Sequence, residues 1–335
     1  GTLFEEILTA RGDVTLERLE NETPEAEAAP VLAAAHAYQI GAARDEIAPR
    51  WHVTEALLAR APNLLAVSSN GAGYDTIDVA ACTRAGLLAV NQAGGNREAV
   101  AEHALGMMLA LAKRIVESDR AMRRAPGIVR NDYMGHDIHG RTVGIIGIGH
   151  IGSRIAELCG GLFAMKVLAY DPYLDAAQIA ARGAAKVTLE ELLGRSDFVS
   201  VNCPRNDETR GMIGAGEFAL MPSHACFVTT ARGGIHDEAA LAAVLERRGI
   251  AGAGLDVWDP EPPPPDHPLL HLDTVIASPH TAGVTHEARA TMARIAAEQM
   301  LAILDGQRPP RLLNPEVWPA YARRFERILG HAPSD

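Results

Sequence analysis

The feature that most constrains this chain is a glycine pattern and what surrounds it. Gly147, Gly149 and Gly152 form GxGxxG within Val143-Gly144-Ile145-Ile146-Gly147-Ile148-Gly149-His150-Ile151-Gly152. The pattern follows an apolar run of strand length and opens a helical stretch at 153–158. A second apolar run, 166–170, ends at Asp171, about 20 residues past the last glycine, the spacing of a dinucleotide fingerprint. Gly147 permits the tight turn, Gly149 lets a pyrophosphate approach the backbone, and Gly152 lets helix and strand close together. The helix start offers unpaired N–H groups and about half a positive charge. A dinucleotide is therefore the expected ligand, with His150 and Ile151 part of its cradle. Asp171 would accept hydrogen bonds from the adenosine ribose hydroxyls and repel a 2′-phosphate. No Arg directly follows it, so NAD is expected over NADP.

The 335 residues are too many for one core and predict two domains. Apolar runs of strand length recur at 142–148, 166–170, 198–202, 225–230, 252–257 and 274–278, with helical stretches such as 238–248 between them. That alternation predicts a parallel sheet covered by helices on both faces. In the first hundred residues, 13–16, 64–68 and 87–90 read as strands and 54–59 as helix. One long helix is expected over 97–124 as a connector, with Met107 and Met108 as interface packing. The proline-rich stretch 260–268 predicts an irregular rigid loop. A final helix is expected over 287–305, with the remainder from Pro309 returning to the first domain.

Three segments lie beyond strands of the same sheet: Thr230-Ala231-Arg232-Gly233-Gly234, the stretch from Gly254 to Pro262, and Ser278-Pro279-His280-Thr281-Ala282-Gly283. Ligands of open parallel sheets sit beyond the carboxyl ends of strands, so Arg232, Glu261 and His280 should face one crevice. Arginine offers a planar fork to a carboxylate. An imidazole exchanges protons near neutral pH, and Glu261 suits its far ring nitrogen. Taken singly, such an Arg is usually a surface group, such a Glu is solvated and such a His is structural. The three together favour a site.

These residues come with Ser69-Asn70-Gly71-Ala72-Gly73-Tyr74-Asp75-Thr76-Ile77-Asp78 and Val100-Ala101-Glu102-His103, in that chain order. Over nearly its whole length the chain resembles the D-isomer-specific 2-hydroxyacid dehydrogenase family. The resemblance implies an α/β fold of two Rossmann-like or flavodoxin-like domains with doubly wound parallel sheets. A cofactor domain, 100–285, would be inserted into a discontinuous substrate domain, 1–99 plus 286–335, with the active site in the cleft between them. It implies catalytic roles for Arg232, Glu261 and His280, hydride exchange with NAD, a 2-hydroxyacid or 2-ketoacid substrate, and a homodimer through the connector helix. Glycines let the loop Asn70-Gly71-Ala72-Gly73 turn its N–H groups to an anion, and the family uses such a loop, with Arg232 and His280, on the substrate carboxylate. Asp256 is implied to contact the nicotinamide amide. Thr230 and Ala231, with Arg232 and His280, are expected on the nicotinamide side, and Cys203, Pro204 and Thr209 on the adenine side. The alternatives are phosphoglycerate dehydrogenase as the specific enzyme, or an NAD-sensing binding module of the corepressor kind. Formate-oxidising relatives carry Gln where Glu261 stands. The loop 68–75 has no Lys or Arg, which leans toward an unphosphorylated 2-ketoacid.

The formal net charge of −11 argues against nucleic acid or an anionic membrane surface as partner. Cys82, Cys159, Cys203 and Cys226 form no CxxC pair, as in a reduced cytoplasmic chain. His136 with His139, and His267 with His271, lack a third ligand nearby, so no metal is expected. Glu102 and His103 read as helix packing or a dimer contact.

Overall fold

The computed structural model describes residues 2–334 except 43, 45, 46 and 125. The chain forms two compact units, Gly1–Asn96 with His286–Asp335, and Arg97–Thr285. The first holds three parallel strands, β1 (Ala37–Gly41), β2 (Ala66–Asn70) and β3 (Leu88–Val90), in the order β1-β2-β3. Val67 and Ala89 face a core with Leu57 and Leu64. On the other face, Ala66, Leu88 and Val90 pack against Ile303, Tyr321 and Phe325. The stretch after Pro309 thus returns to this unit through the helix Trp318–Leu329.

The second unit holds β4 (Thr142–Ile146), β5 (Lys166–Tyr170), β6 (Ala185–Lys186), β7 (Phe198–Val201), β8 (Cys226–Thr229), β9 (Gly252–Leu255) and β10 (Val275–Ala277), all parallel. Their order is β10-β9-β8-β7-β4-β5-β6. The chain builds outward from β4 to β6, then crosses back to β7 on the other side of β4. This reversal opens a crevice beyond the carboxyl ends of β4 and β7. Ile146 pairs with both Tyr170 and Val201, so Gly147, Asp171 and Asn202-Cys203 leave the sheet side by side. β7, β8 and β9 are buried at every residue, which is why they read as unbroken small or apolar runs.

Three expectations need correction. Residues 13–16 form no strand; Val14 and Leu16 alternate inward only to pack beside Leu8, Ala297 and Met300. The edge strand is β1, whose Tyr38 and Gln39 gave no apolar run. The long helix is two, Arg97–Ala112 and Ile115–Arg124, with Arg114 at φ +52°. The Ala112 carbonyl accepts the His136 N–H at 2.7 Å instead of continuing the helical ladder. Met107 and Met108 are buried in the core of their own unit and are not an interface. Among the described residues, no helix is long and apolar enough to cross a membrane.

The helix Arg97–Ala112 lies on β8 and β9 because Gly254 leaves room: a Cβ there would stand 2.9 Å from the Met107 Cβ. Gly254→Ala should therefore overpack this contact and cost about 1–3 kcal/mol in chemical denaturation. An unchanged unfolding midpoint would contradict the close approach.

Candidate active site

The glycine turn is built as its spacing demands. Gly147 sits at φ +84°, and a Cβ there would meet the Cys203 N at 2.8 Å. A Cβ on Gly152 would stand 2.3 Å from the Gly147 carbonyl oxygen. Gly149 faces open space, with nothing within 4 Å of where a Cβ would lie. The helix His150–Phe163 begins there with no side-chain cap, so its first N–H groups stay available to an anion. Asp171 buttresses the turn: one carboxylate oxygen accepts the Ile148 N–H at 3.2 Å and the other the Tyr173 N–H at 3.1 Å. The Tyr173 hydroxyl is hydrogen-bonded to Glu208. A surface cavity runs from Asp171 and Pro172 past Val187 to Leu189; of these only Asp171 carries a signal in the sequence.

The second half of the site hangs on the end of β9. Asp256 is fully buried, and its carboxylate accepts three hydrogen bonds, from the Ser278 hydroxyl (2.5 Å), the Thr281 N–H (2.8 Å) and the Ala282 N–H (2.9 Å). Its carbonyl accepts the His280 N–H at 2.7 Å. These bonds hold His280 in the left-handed region, φ +54°, which costs a non-glycine residue on the order of 1 kcal/mol. The turn aims the His280 ring at Glu261, with Nδ1 2.8 Å from Oε2. Glu261 Oε1 accepts the Trp258 N–H at 2.9 Å. The Trp258 indole N–H donates to the Ser278 carbonyl at 3.1 Å, and a Cβ on Gly233 would stand 1.8 Å from the Trp258 carbonyl oxygen. Trp258 thereby touches all three loops that carry Arg232, Glu261 and His280.

The electrostatics follow from this geometry. The hydrogen bond that His280 donates to Glu261 raises the His280 pKa above the ordinary imidazole value. Burial and the Arg232 charge oppose that rise, and the Glu261 and Asp256 charges add to it. Burial pushes the Glu261 carboxyl up, but the His280 hydrogen bond, the Trp258 N–H and the His280 and Arg232 charges outweigh it and hold the group low. Arg232 therefore acts on both members of the pair, and its Nη1 donates to the Ala231 carbonyl at 2.7 Å. The arrangement sets a guanidinium charge beside an imidazole that keeps its proton to higher pH than usual.

The other predicted residues fall into groups. Cys203 abuts the Gly147 turn, and burial pushes its thiol up to about 11. The Thr209 hydroxyl donates to the Pro204 carbonyl at 2.7 Å and accepts the Asn206 N–H at 2.8 Å, closing its own loop. Thr230 is buried and Ala231 half-buried beyond β8. Asn70, Gly71, Ala72 and Gly73 follow β2 in the other unit. There the Gly71 N–H is given to the buried Gln92 side chain. Asp256, with both carboxylate oxygens so engaged, acts as an anchor of the His280 turn. His103, read as packing, stands 3.0 Å from the Ser278 hydroxyl. Sequence could have flagged Ser278 and Trp258 only by their place at strand ends.

A family model described as "D-isomer specific 2-hydroxyacid dehydrogenase, NAD binding domain" matches residues 105–282. The chain is 42% identical over 260 residues to glyoxylate reductase of Korarchaeum cryptofilum, covering 77% of this chain and 78% of that protein. It is 40% identical over 250 residues to D-3-phosphoglycerate dehydrogenase of Archaeoglobus fulgidus, covering 75% of this chain and 47% of that one; the chain thus spans about half the length of that relative. Among solved structures, D-lactate dehydrogenase of Aquifex aeolicus with NAD and lactic acid superposes with a TM-score of 0.77 at 27% identity, covering 92% and 95% of the two chains.

The coupling of His280 to Glu261 fixes a pH window. A raised imidazole stabilises the fold below its unfolded pKa, and the gain fades as pH rises through the folded value. A lowered carboxyl stabilises above its unfolded pKa. Both gains coexist between about 4.3 and 6.5. Glu261→Gln should therefore destabilise the protein more at about pH 5.5 than at about pH 9 in thermal melts, because at the higher pH His280 has lost the charge that Glu261 pairs with. Equal losses at both pH values would contradict the assigned charges.

Proposed function

Since this chain belongs to the D-isomer specific 2-hydroxyacid dehydrogenase family, we propose that it is an NAD-dependent 2-hydroxyacid dehydrogenase, or 2-ketoacid reductase. The observation that carries this reading is the His280–Glu261 contact at 2.8 Å with the Arg232 charge acting on both groups. The unit Arg97–Thr285 is the proposed cofactor domain and the other unit the substrate domain.

The cradle suits a dinucleotide. Gly149 leaves space, the helix start is uncapped, and Asp171 stands beside a cavity that leads to Val187 and Leu189. Gly147, Gly149, His150, Ile151 and Gly152 would hold the pyrophosphate, and Asp171 the ribose. When bound, the nicotinamide takes or supplies the hydride. The Asp171 carboxylate, with Glu208 hydrogen-bonded to nearby Tyr173, would oppose the extra phosphate of NADP, which supports NADH as the proposed partner rather than NADPH.

Arg232 would bind the substrate carboxylate and polarise the C2 carbonyl. Nδ1 of His280 is committed to Glu261, so Nε2 is the ring nitrogen that exchanges the proton. In reduction Nε2 gives its proton to the C2 oxygen as the hydride reaches C2. In oxidation it accepts the hydroxyl proton. Glu261 keeps the ring oriented and favours its protonated form. With no Lys or Arg in residues 68–75, a small unphosphorylated 2-ketoacid such as glyoxylate is the proposed substrate class. A cytoplasmic homodimer remains part of the proposal on family grounds.

His280→Ala should lower kcat for glyoxylate reduction by about 10²–10⁴ while NADH affinity, read by fluorescence, stays near wild type. Arg232→Ala should chiefly raise KM for the ketoacid. Full turnover in both variants would remove the assigned roles.

A further inference from the structure

We propose that Glu238 and His267 form a second histidine–carboxylate pair that positions Glu261 and, through it, the His280 ring; the inference rests on the hydroxyacid dehydrogenase reading of that site. Glu238 opens the helix Glu238–Glu246, and His267 precedes the short helix Pro268–His271. Their side chains, 12% and 16% exposed, meet at 2.9 Å, with His267 Nε2 donating to Glu238 Oε2. The other oxygen, Oε1, accepts the Asp259 N–H at 2.9 Å. The amide just before it, Trp258 N–H, donates to Glu261 Oε1 at 2.9 Å. Two consecutive amides are thus given to two carboxylates, one of the reacting loop and one of a neighbouring helix. Holding Asp259 N–H fixes the peptide plane that follows Trp258, and so limits how Glu261 can swing.

The pair also grips Trp258 from the side. The His267 ring meets the indole edge-on, with centroids 5.6 Å apart. The indole N–H in turn reaches the Ser278 carbonyl, two residues before His280. Burial pushes the Glu238 carboxyl up, against the Asp259 N–H and the hydrogen bond and charge of His267, while the Asp259 charge adds to the rise. His267 Nδ1 is buried with no hydrogen-bond partner among the described residues, so the ring donates through Nε2 alone. Removing either member leaves the other's polar group buried and unpaired, a cost the loop relieves by moving. The movement would loosen Glu261 from His280 Nδ1, the strongest influence that raises that ring's pKa; Arg232 and Asp256 are the other charged groups facing it. A displacement on the order of 1 Å in such a site costs about 100-fold in rate.

The test is an NMR titration of histidine-labelled full-length protein, with His280 assigned from His280→Gln, alongside kcat for glyoxylate. Glu238→Ala and His267→Ala should lower the His280 pKa and reduce kcat by at least about tenfold. His267→Gln, whose amide places a donor where Nε2 stood, should restore both to within about twofold of wild type. The proposal is overturned if both alanine variants titrate and turn over like wild type, or if His267→Gln is as impaired as His267→Ala. Should Glu238→Ala fail to fold, the His267 pair of variants decides alone. The titration needs no turnover: a wild-type protein that reduces no 2-ketoacid would sink the functional reading, and the His280 pKa would still judge the pair.

Discussion

A buried carboxylate with all its hydrogen bonds made is the constraint on which the rest of the site depends. Asp256 leaves β9 where the sheet runs out of ladder partners, and its side chain and carbonyl take over the role of a strand. An unpaired charge at full burial would cost several kcal/mol, so the Ser278–Ala282 turn must close around it. That closure carries His280 into a backbone region that a histidine seldom occupies. Two residues later Trp258 does the same for Glu261 and the Arg232 loop. Glu261, His280 and the Arg232 loop are therefore held by contacts that gather at the ends of neighbouring strands.

The acid–base character of the site comes from this placement. The protein is acidic overall, yet the crevice sets one guanidinium against a histidine–carboxylate pair. Arg232 alone would discourage protonation of His280, and Glu261 reverses that. An anion-binding group and a proton donor can thus stand beside one substrate without the first disabling the second.

Much of this was legible in the sequence, and the residues show why. Strands buried on both faces read as apolar runs, so β4, β5, β7, β8 and β9 stood out. The glycine turn and Asp171 were readable because each glycine answers a steric demand at a fixed offset. β1 escaped because an edge strand with Tyr38 and Gln39 needs no apolar run, and 13–16 misled because alternation can serve packing without a ladder. The break at Arg114 depends on His136, 22 positions from it, and no local pattern announces such a contact. Separation along the chain also hid Glu238 and His267. Each is ordinary in its own segment and gains meaning only where the helix 238–246 meets the proline-rich loop. The Gly71 amide shows the converse: a glycine loop that looked open to an anion spends one donor on Gln92.

The most direct measurement follows the hydride itself. NADH deuterated at the transferring position would be incubated with glyoxylate, hydroxypyruvate and phenylpyruvate, and the products read by mass and by chiral separation. One deuterium is expected at C2 of at least one 2-hydroxyacid, of D configuration wherever C2 is a stereocentre in its unlabelled form. Tight NADH binding with no label in any product would contradict it, and would leave a dinucleotide sensor in place of an enzyme.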